Sequence, residues 1–222
     1  MFFKKRSRPL VRPFKTPFSR PQLGAYHKGV MSYHYRDVMC NKSPIDIAIY
    51  LQLIHDVKPG TFIEIGTKLG GSALMFNDMV RTYGFDTQIV SIDRSPPTVD
   101  ARFDGIRFVQ GNVLDLEKAF TDNNLFDLPR PWILSDDSAH TYTACMKVLD
   151  FAHTHLLAGE YVIIEDGVLA ELDLGDRFEG GPSRALEEYL STHPDRFEID
   201  TTYCDMFGIN ATTNPNGYLR KL

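Results

Sequence analysis

The sequence predicts an α/β protein built as a Rossmann-like, doubly wound sheet of mostly parallel strands, preceded by a basic N-terminal arm. Three observations carry that expectation. Short β-branched, apolar runs alternate with helix-length segments of helical hydrophobic spacing. Each apolar run is followed at once by glycines, acids or amides, at the end of the strand where open parallel sheets bind ligands. The composition, 43% hydrophobic and 24% charged over 222 residues, supports an ordinary core without disulfide or metal staples. Disordered, collagen-like and coiled-coil classes are thereby excluded. No apolar run approaches the roughly 18 residues of a membrane span, and the start has no apolar signal-peptide core. Three well-separated cysteines, Cys40, Cys145 and Cys204, form no CxxC pair, so a reducing, cytoplasmic setting is expected.

Taken in order, Ser43-Pro44 reads as a helix N-cap with proline in the first turn, opening a helix that Pro59-Gly60 ends. Residues 61–65 (TFIEI) read as a strand, 66–71 as a turn and 72–83 as a helix. Further strands are expected at 88–92, 106–109, 132–134 and 161–164, with a helix at 141–157 between the last two. The 161–164 strand is wholly apolar, as a buried parallel strand should be. Another helix at 183–190 and strand-like runs at 197–203 and 218–221 close the chain, the last after an Asn216-Gly217 turn.

The strand ends collect the chemistry. After the first strand comes Glu64-Ile65-Gly66-Thr67-Lys68-Leu69-Gly70-Gly71-Ser72. It lacks the second glycine of G-x-G-x-x-G, where Lys68 stands, and it lacks the lysine of a P-loop. An acid before a glycine-rich turn suits a ligand with an amino-acid head group and no phosphate, such as S-adenosylmethionine. Asp93, at the next strand end, is placed for ribose hydroxyls, with Asn112 after the third strand nearby. Tight packing is the other reading of such a turn. The second constellation is Asp136, Asp137, Glu165 and Asp166, after two strands expected about 4.8 Å apart. Like charges so close need a proton or a cation, and an all-oxygen set selects Mg²⁺ or Ca²⁺ over zinc. Some of these acids could instead cap helices, Asp136 or Ser138 the one from Thr141; Asp136 stays open between cofactor, metal and cap. His140, three residues beyond Asp137, suits a general base.

Charge is uneven. Nine of the 24 Lys and Arg fall in residues 1–36 with no acid, leaving 15 against 29 acidic residues in the remainder, 37–222. The arm interleaves Pro9, Pro13, Pro17 and Pro21 with Phe2, Phe3, Phe14 and Phe18, a density that argues against a helix or central strand. An arm wrapping the acidic body of its own or a neighbouring subunit is preferred to a nucleic-acid or lipid contact.

At these residues the chain resembles the metal-dependent, S-adenosylmethionine-binding methyltransferases grouped with the cephalosporin hydroxylases and macrolide-sugar O-methyltransferases. The resemblance rests on IEIGTKLGGSAL (63–74), SID (91–93), DDSAH (136–140), GEYVIIEDG (159–167), GGP (180–182) and NPNGYLRK (214–221). It implies a class I methyltransferase fold and a homo-oligomer. It also implies a cofactor site at Glu64, Gly66, Thr67, Lys68, Gly70, Gly71, Ser72, Asp93, Asn112 and Asp136. Metal ligands would be Asp137, Glu165 and Asp166, with His140 as base. DDSAH departs from the related motifs at Ser138-Ala139, and the arm has no counterpart. The expected reaction is Mg²⁺-dependent methyl transfer to a hydroxyl of a sugar acceptor. A catechol or phenol O-methyltransferase and a non-catalytic methyltransferase-like subunit are the alternatives. The loop 167–181 is either a lid over the acceptor or a solvated loop.

Overall fold

A computed structural model describes residues 12–222. Helix α1 (Arg20–Val30) and a two-residue-strand hairpin, β1 (His34–Tyr35) and β2 (Val38–Met39), precede the body. The body runs α2 (Pro44–Val57), β3 (Thr61–Ile65), α3 (Gly71–Thr82), β4 (Gln88–Asp93), β5 (Ile106–Gln110), α4 (Leu116–Asp122), β6 (Trp132–Asp136) and α5 (Tyr142–His155). It finishes with β7 (Tyr161–Ile164), α6 (Gly181–Thr192), β8 (Phe197–Ile199), α7 (Thr201–Cys204) and β9 (Tyr218–Lys221). Ser43 caps α2, its hydroxyl accepting from the Asp46 N–H at 3.1 Å, with Pro44 in the first turn.

The seven-stranded sheet has the order β5-β4-β3-β6-β7-β9-β8. The first five strands are parallel; β9 pairs antiparallel with β7 and with β8, which forms the edge. The strand order reverses between β3 and β6, and that crevice is where a doubly wound sheet opens to a ligand. Alternate strand residues feed two apolar layers. Ile63, Val90, Leu134 and Val162 face α4, α5 and α6; Phe62, Ile89, Ile133 and Ile163 face α2 and α3.

Three local expectations fail for identifiable reasons. The arm holds a helix, because only Pro21 falls within it, in the first turn where its missing N–H has no partner to lose. Helix α4 escapes the sequence reading; it is only seven residues long and Asp115 caps it, accepting from the Lys118 N–H at 3.3 Å. The run 197–203 is not one strand. Asp200 interrupts it and caps α7, accepting from the Thr202 N–H at 2.9 Å.

From Arg12 onward the arm lies on the acidic body of its own chain. The Arg12 guanidinium grips both carboxylate oxygens of Asp205 (2.5 and 2.8 Å) and donates to the side-chain oxygens of Asn210 (2.9 Å) and Asn216. The Pro13 carbonyl accepts from Asn210 and Asn216 amides at 2.8 and 3.0 Å. The Thr16 N–H donates to Glu171, and Arg20 pairs with Asp173, so the arm also pins the segment after β7. Of the arm's basic and aromatic residues, Lys4, Lys5, Arg6, Arg8, Phe2 and Phe3 lie outside the described residues, as does Pro9. Among the described residues no helix is long and apolar enough to cross a membrane.

Removing Arg12 leaves Asp205, Asn210 and Asn216 short of donors in a partly buried place. Arg12→Ala should lower stability by about 1–3 kcal/mol, measured by urea unfolding, with the loss confined to stability. A change below the measurement error would mean the arm does not dock through this residue.

Candidate functional site

Register brings the strand ends level. Ile65 pairs with Asp136, and Asp136 with Ile164, so the following residues Gly66, Asp137 and Glu165 emerge side by side. The Asp137 N–H donates to the Ile65 carbonyl at 2.9 Å, and the Glu165 N–H to the Asp136 carbonyl at 3.0 Å. Gly66 makes this closeness possible. At φ +101° it adopts a backbone other residues avoid, and a Cβ there would lie 2.1 Å from the Asp137 carbonyl oxygen.

A cavity of about 780 Å³ opens over these ends. Gly66, Thr67, Lys68, Ser72, Asp93 and Asn112 line one part; Asp137, Ser138, Ala139, His140 and Asp166 line the other. Asp93 is held by the turn it faces. Its Oδ2 accepts the Thr67 and Lys68 N–H groups at 3.0 and 3.1 Å, and its Oδ1 the Ser95 N–H at 2.8 Å. Lys68 therefore presents backbone to Asp93 while its ammonium reaches the Asn41 side-chain oxygen at 2.9 Å.

Four residues expected at the cofactor site stand off the wall. Gly70 abuts the Phe103 ring, and Gly71 packs so close to the Met39 carbonyl that a Cβ would come within 2.2 Å of it. Asp136 is buried, accepts the Ser138 hydroxyl at 2.5 Å, and is pushed up to about 6 by burial. It caps no helix; Thr141 caps α5. Glu64 lies fully buried beneath the turn. Its Oε2 accepts the Ser91 hydroxyl at 2.5 Å, whereas its Oε1 has no donor, and burial raises the carboxyl to about 7.

The acids divide into two groups. Asp137, His140 and Asp166 each offer a ligand atom, all within 4.8 Å of one another. His140 Nε2 stands 3.7 Å from Asp137 Oδ1 and 3.5 Å from Asp166 Oδ2, with the edge of Phe178 against its ring. Burial works against a proton on His140, but the charges of Asp166 and Asp137 outweigh it and raise its pKa above 6.5. His140 and Asp166 both hold left-handed backbone, at φ 54° and 57°. The Asp166 N–H donates to the Asn214 side-chain oxygen at 2.9 Å, which gives the 214–217 turn its part in the site.

Glu165, expected to ligate metal beside Asp137 and Asp166, does not join this group. Its Oε1 accepts from Lys42 Nζ (2.6 Å), the Ser135 hydroxyl (2.6 Å) and the Tyr50 hydroxyl (2.8 Å), all buried. Lys42, 2% exposed, also donates to Asp137 Oδ2 at 2.6 Å. Desolvation favours the neutral amine, but Asp137, Glu165 and Glu64 together hold it protonated, well above the ordinary lysine value. Sequence reasoning did not find Lys42 or Tyr50. The demand that converging acids be neutralised was readable; which cation met it was not. His27, Val30, Met31 and Met39 of the N-terminal segment, further cavity wall, were also missed.

Comparison with known proteins follows from this geometry. Residues 27–222 match the family described as Rhamnosyl O-methyltransferase/CmcI. Rhamnosyl O-methyltransferase of Mycobacterium tuberculosis (strain H37Rv) is 27% identical over 193 residues, 83% of this chain and 76% of that protein. The protein of the same description from Mycobacterium leprae (strain TN) is 28% identical over 180 residues, 80% and 79% of the two chains. An apo structure of CmcI superposes with a TM-score of 0.69 at 27% identity, covering 100% of this chain and 88% of that one. A CmcI structure described as Mg-SAM matches with TM-score 0.69 at 26% identity and the same coverage. An O-methyltransferase from Bacillus cereus in complex with SAH (TM-score 0.51, 14% identity, 81% and 83% coverage) shares the fold alone. The fold is the α/β fold of the class I methyltransferases.

Glu64 supplies a pH test. Its folded pKa near 7 lies above the ordinary 4.5, so the stability it contributes is complete below about pH 4.5 and is lost as pH rises through 7. Urea unfolding of wild type against Glu64→Gln should show the wild type losing about 1–3 kcal/mol relative to the variant between pH 4.5 and 8. A pH-independent difference would show that Glu64 ionises as freely as in water.

Proposed function

Since this chain belongs to the Rhamnosyl O-methyltransferase/CmcI family, we propose that it transfers the methyl group of S-adenosylmethionine to a hydroxyl of a sugar-bearing acceptor, with Mg²⁺ held beside the reacting oxygen. The observation that carries this reading is the shared cavity. Gly66, Thr67, Lys68, Ser72 and Asp93 stand on one wall, and the Asp137, His140 and Asp166 atoms converge on another.

The residues present fit both groups. The cavity volume suits a ligand of that size. Thr67, Lys68 and Ser72 bring polar groups of the glycine-rich turn to the cavity, where an amino-acid head group would find partners. Asp93, oriented by three backbone N–H groups, retains a lone pair on Oδ1 for a ribose hydroxyl. Asp137 and Asp166 supply hard oxygen donors for a divalent cation, with Glu165 one strand end away. When bound, S-adenosylmethionine provides an electrophilic methyl on sulfur, and Mg²⁺ acidifies a sugar hydroxyl that water alone leaves fully protonated.

The chain's own residues orient and deprotonate. His140 Nε2 takes the hydroxyl proton, and Asp137 and Asp166 stabilise the imidazolium that results. Phe178, on the segment between β7 and α6, packs T-shaped against the imidazole. That segment forms two 3₁₀ turns, Gly167–Leu172 and Gly175–Phe178, packed against α6, and reaches the cavity at Asp166 and Glu179. His27, Val30 and Met31 add α1 to the enclosure. Holding acceptor and donor in line accounts for much of the rate.

Mass spectrometry of sugar and catechol panels incubated with S-adenosylmethionine, with and without Mg²⁺, tests the proposal. Methylated glycosides formed only with the metal are expected. Turnover of catechols in preference to glycosides would move the acceptor to phenols; cofactor binding with no product across both panels would leave a non-catalytic subunit. Asp137→Ala should abolish metal-dependent turnover while calorimetry finds cofactor affinity within about threefold of wild type. His140→Ala should lower turnover by about 10²–10⁴. Full Asp137→Ala activity in excess chelator would refute the metal's part.

A further inference from the structure

Lys42 is in direct contact with both Asp137 and Glu165 of the expected ligand set. Its ammonium lies 2.6 Å from Asp137 Oδ2 and 2.6 Å from Glu165 Oε1, a bridging position between carboxylates from the ends of adjacent strands. Glu165 Oε1 is crowded further by the Tyr50 and Ser135 hydroxyls. An ammonium standing between the two oxygens fills the place of an ion that would bridge them, and its positive charge opposes a dication there. Asp137 is shared between the two groups: its Oδ2 accepts from Lys42, while its Oδ1 faces His140.

We propose that Lys42 is a built-in competitor of the divalent ion: its ammonium ties Asp137 to Glu165 in the metal-free protein and must leave the space between them for Glu165 to become a ligand. The inference rests on the metal reading of the site. Lys42 is a positioning residue. It has the means to move: a four-carbon stem, attached between Asn41, whose backbone is left-handed (φ 55°), and Ser43, the cap of α2. Cys40 and Asn41 already line the cavity, so the stem is rooted at its edge. The cap anchors the backbone, and the side chain alone needs to swing. Lys42 also keeps Asp137 and Glu165 from repelling while no metal is present, which lets the site persist between loadings.

The test is Mn²⁺ binding to the full chain without cofactor, followed by electron paramagnetic resonance. Lys42→Met should bind Mn²⁺ at least tenfold more tightly than wild type. Adding Glu165→Gln to that variant should erase the gain. Equal or weaker binding by Lys42→Met overturns the proposal while leaving the metal reading intact. Absence of Mn²⁺ binding in wild type and variant alike overturns both. Should Lys42→Met not fold, the wild-type chain crystallised with Mn²⁺ decides: Nζ beyond 4 Å from both Asp137 and Glu165 is expected, and Nζ still between them with the ion bound refutes the idea.

Discussion

The geometry of the cavity depends on one backbone contact, the approach of Gly66 to the Asp137 carbonyl. It is the point where the turn after β3 and the loop after β6 pass within a distance that no Cβ tolerates. Parallel register carries the two loops to the same height, but register alone would leave them a strand spacing apart with side chains between. The bare Cα removes that obstacle. The turn that faces Asp93 and the loop that carries Asp137 and His140 thus become two walls of one cavity. A donor molecule and an acceptor need a common space of this kind.

Closeness of that order has an electrostatic cost. Glu64, Asp136 and Glu165, all buried, and Asp137 emerge from three neighbouring strands. The fold meets the cost in three ways. Burial pushes Glu64 and Asp136 toward their neutral forms. Hydroxyls from Tyr50, Ser135 and Ser91 stabilise what charge is left. Lys42 provides a full positive charge where two acids meet. A network of this sort contributes little net stability compared with an apolar core. Its value lies in holding carboxylates ready in one arrangement.

Strand positions and their polar ends were legible because alternation and glycine punctuation are local properties. Thr61–Ile65 and Tyr161–Ile164 have the same bounds in sequence and structure. What stayed hidden is long-range or too short to show a period. Nothing in residues 40–43 announces that Lys42 lies against Asp137 and Glu165, 95 and 123 positions away. The outward turn of Asp166 and inward turn of Glu165 follow from Asn214 and Tyr50, side chains on distant elements. Proline counting hid α1, because the rule against proline is suspended in a helix's first turn. The wall that α1 adds to the cavity was hidden with it.

His140 and Asp166 stand in the left-handed backbone region, which a glycine would occupy with less strain. A stabilising design guided by backbone preference alone would therefore single out these two positions for replacement by glycine. The reward would be a sturdier chain stripped of its imidazole and of one carboxylate. Where robustness and chemistry pull on the same residue, a library selected only for heat resistance drifts toward an inert scaffold.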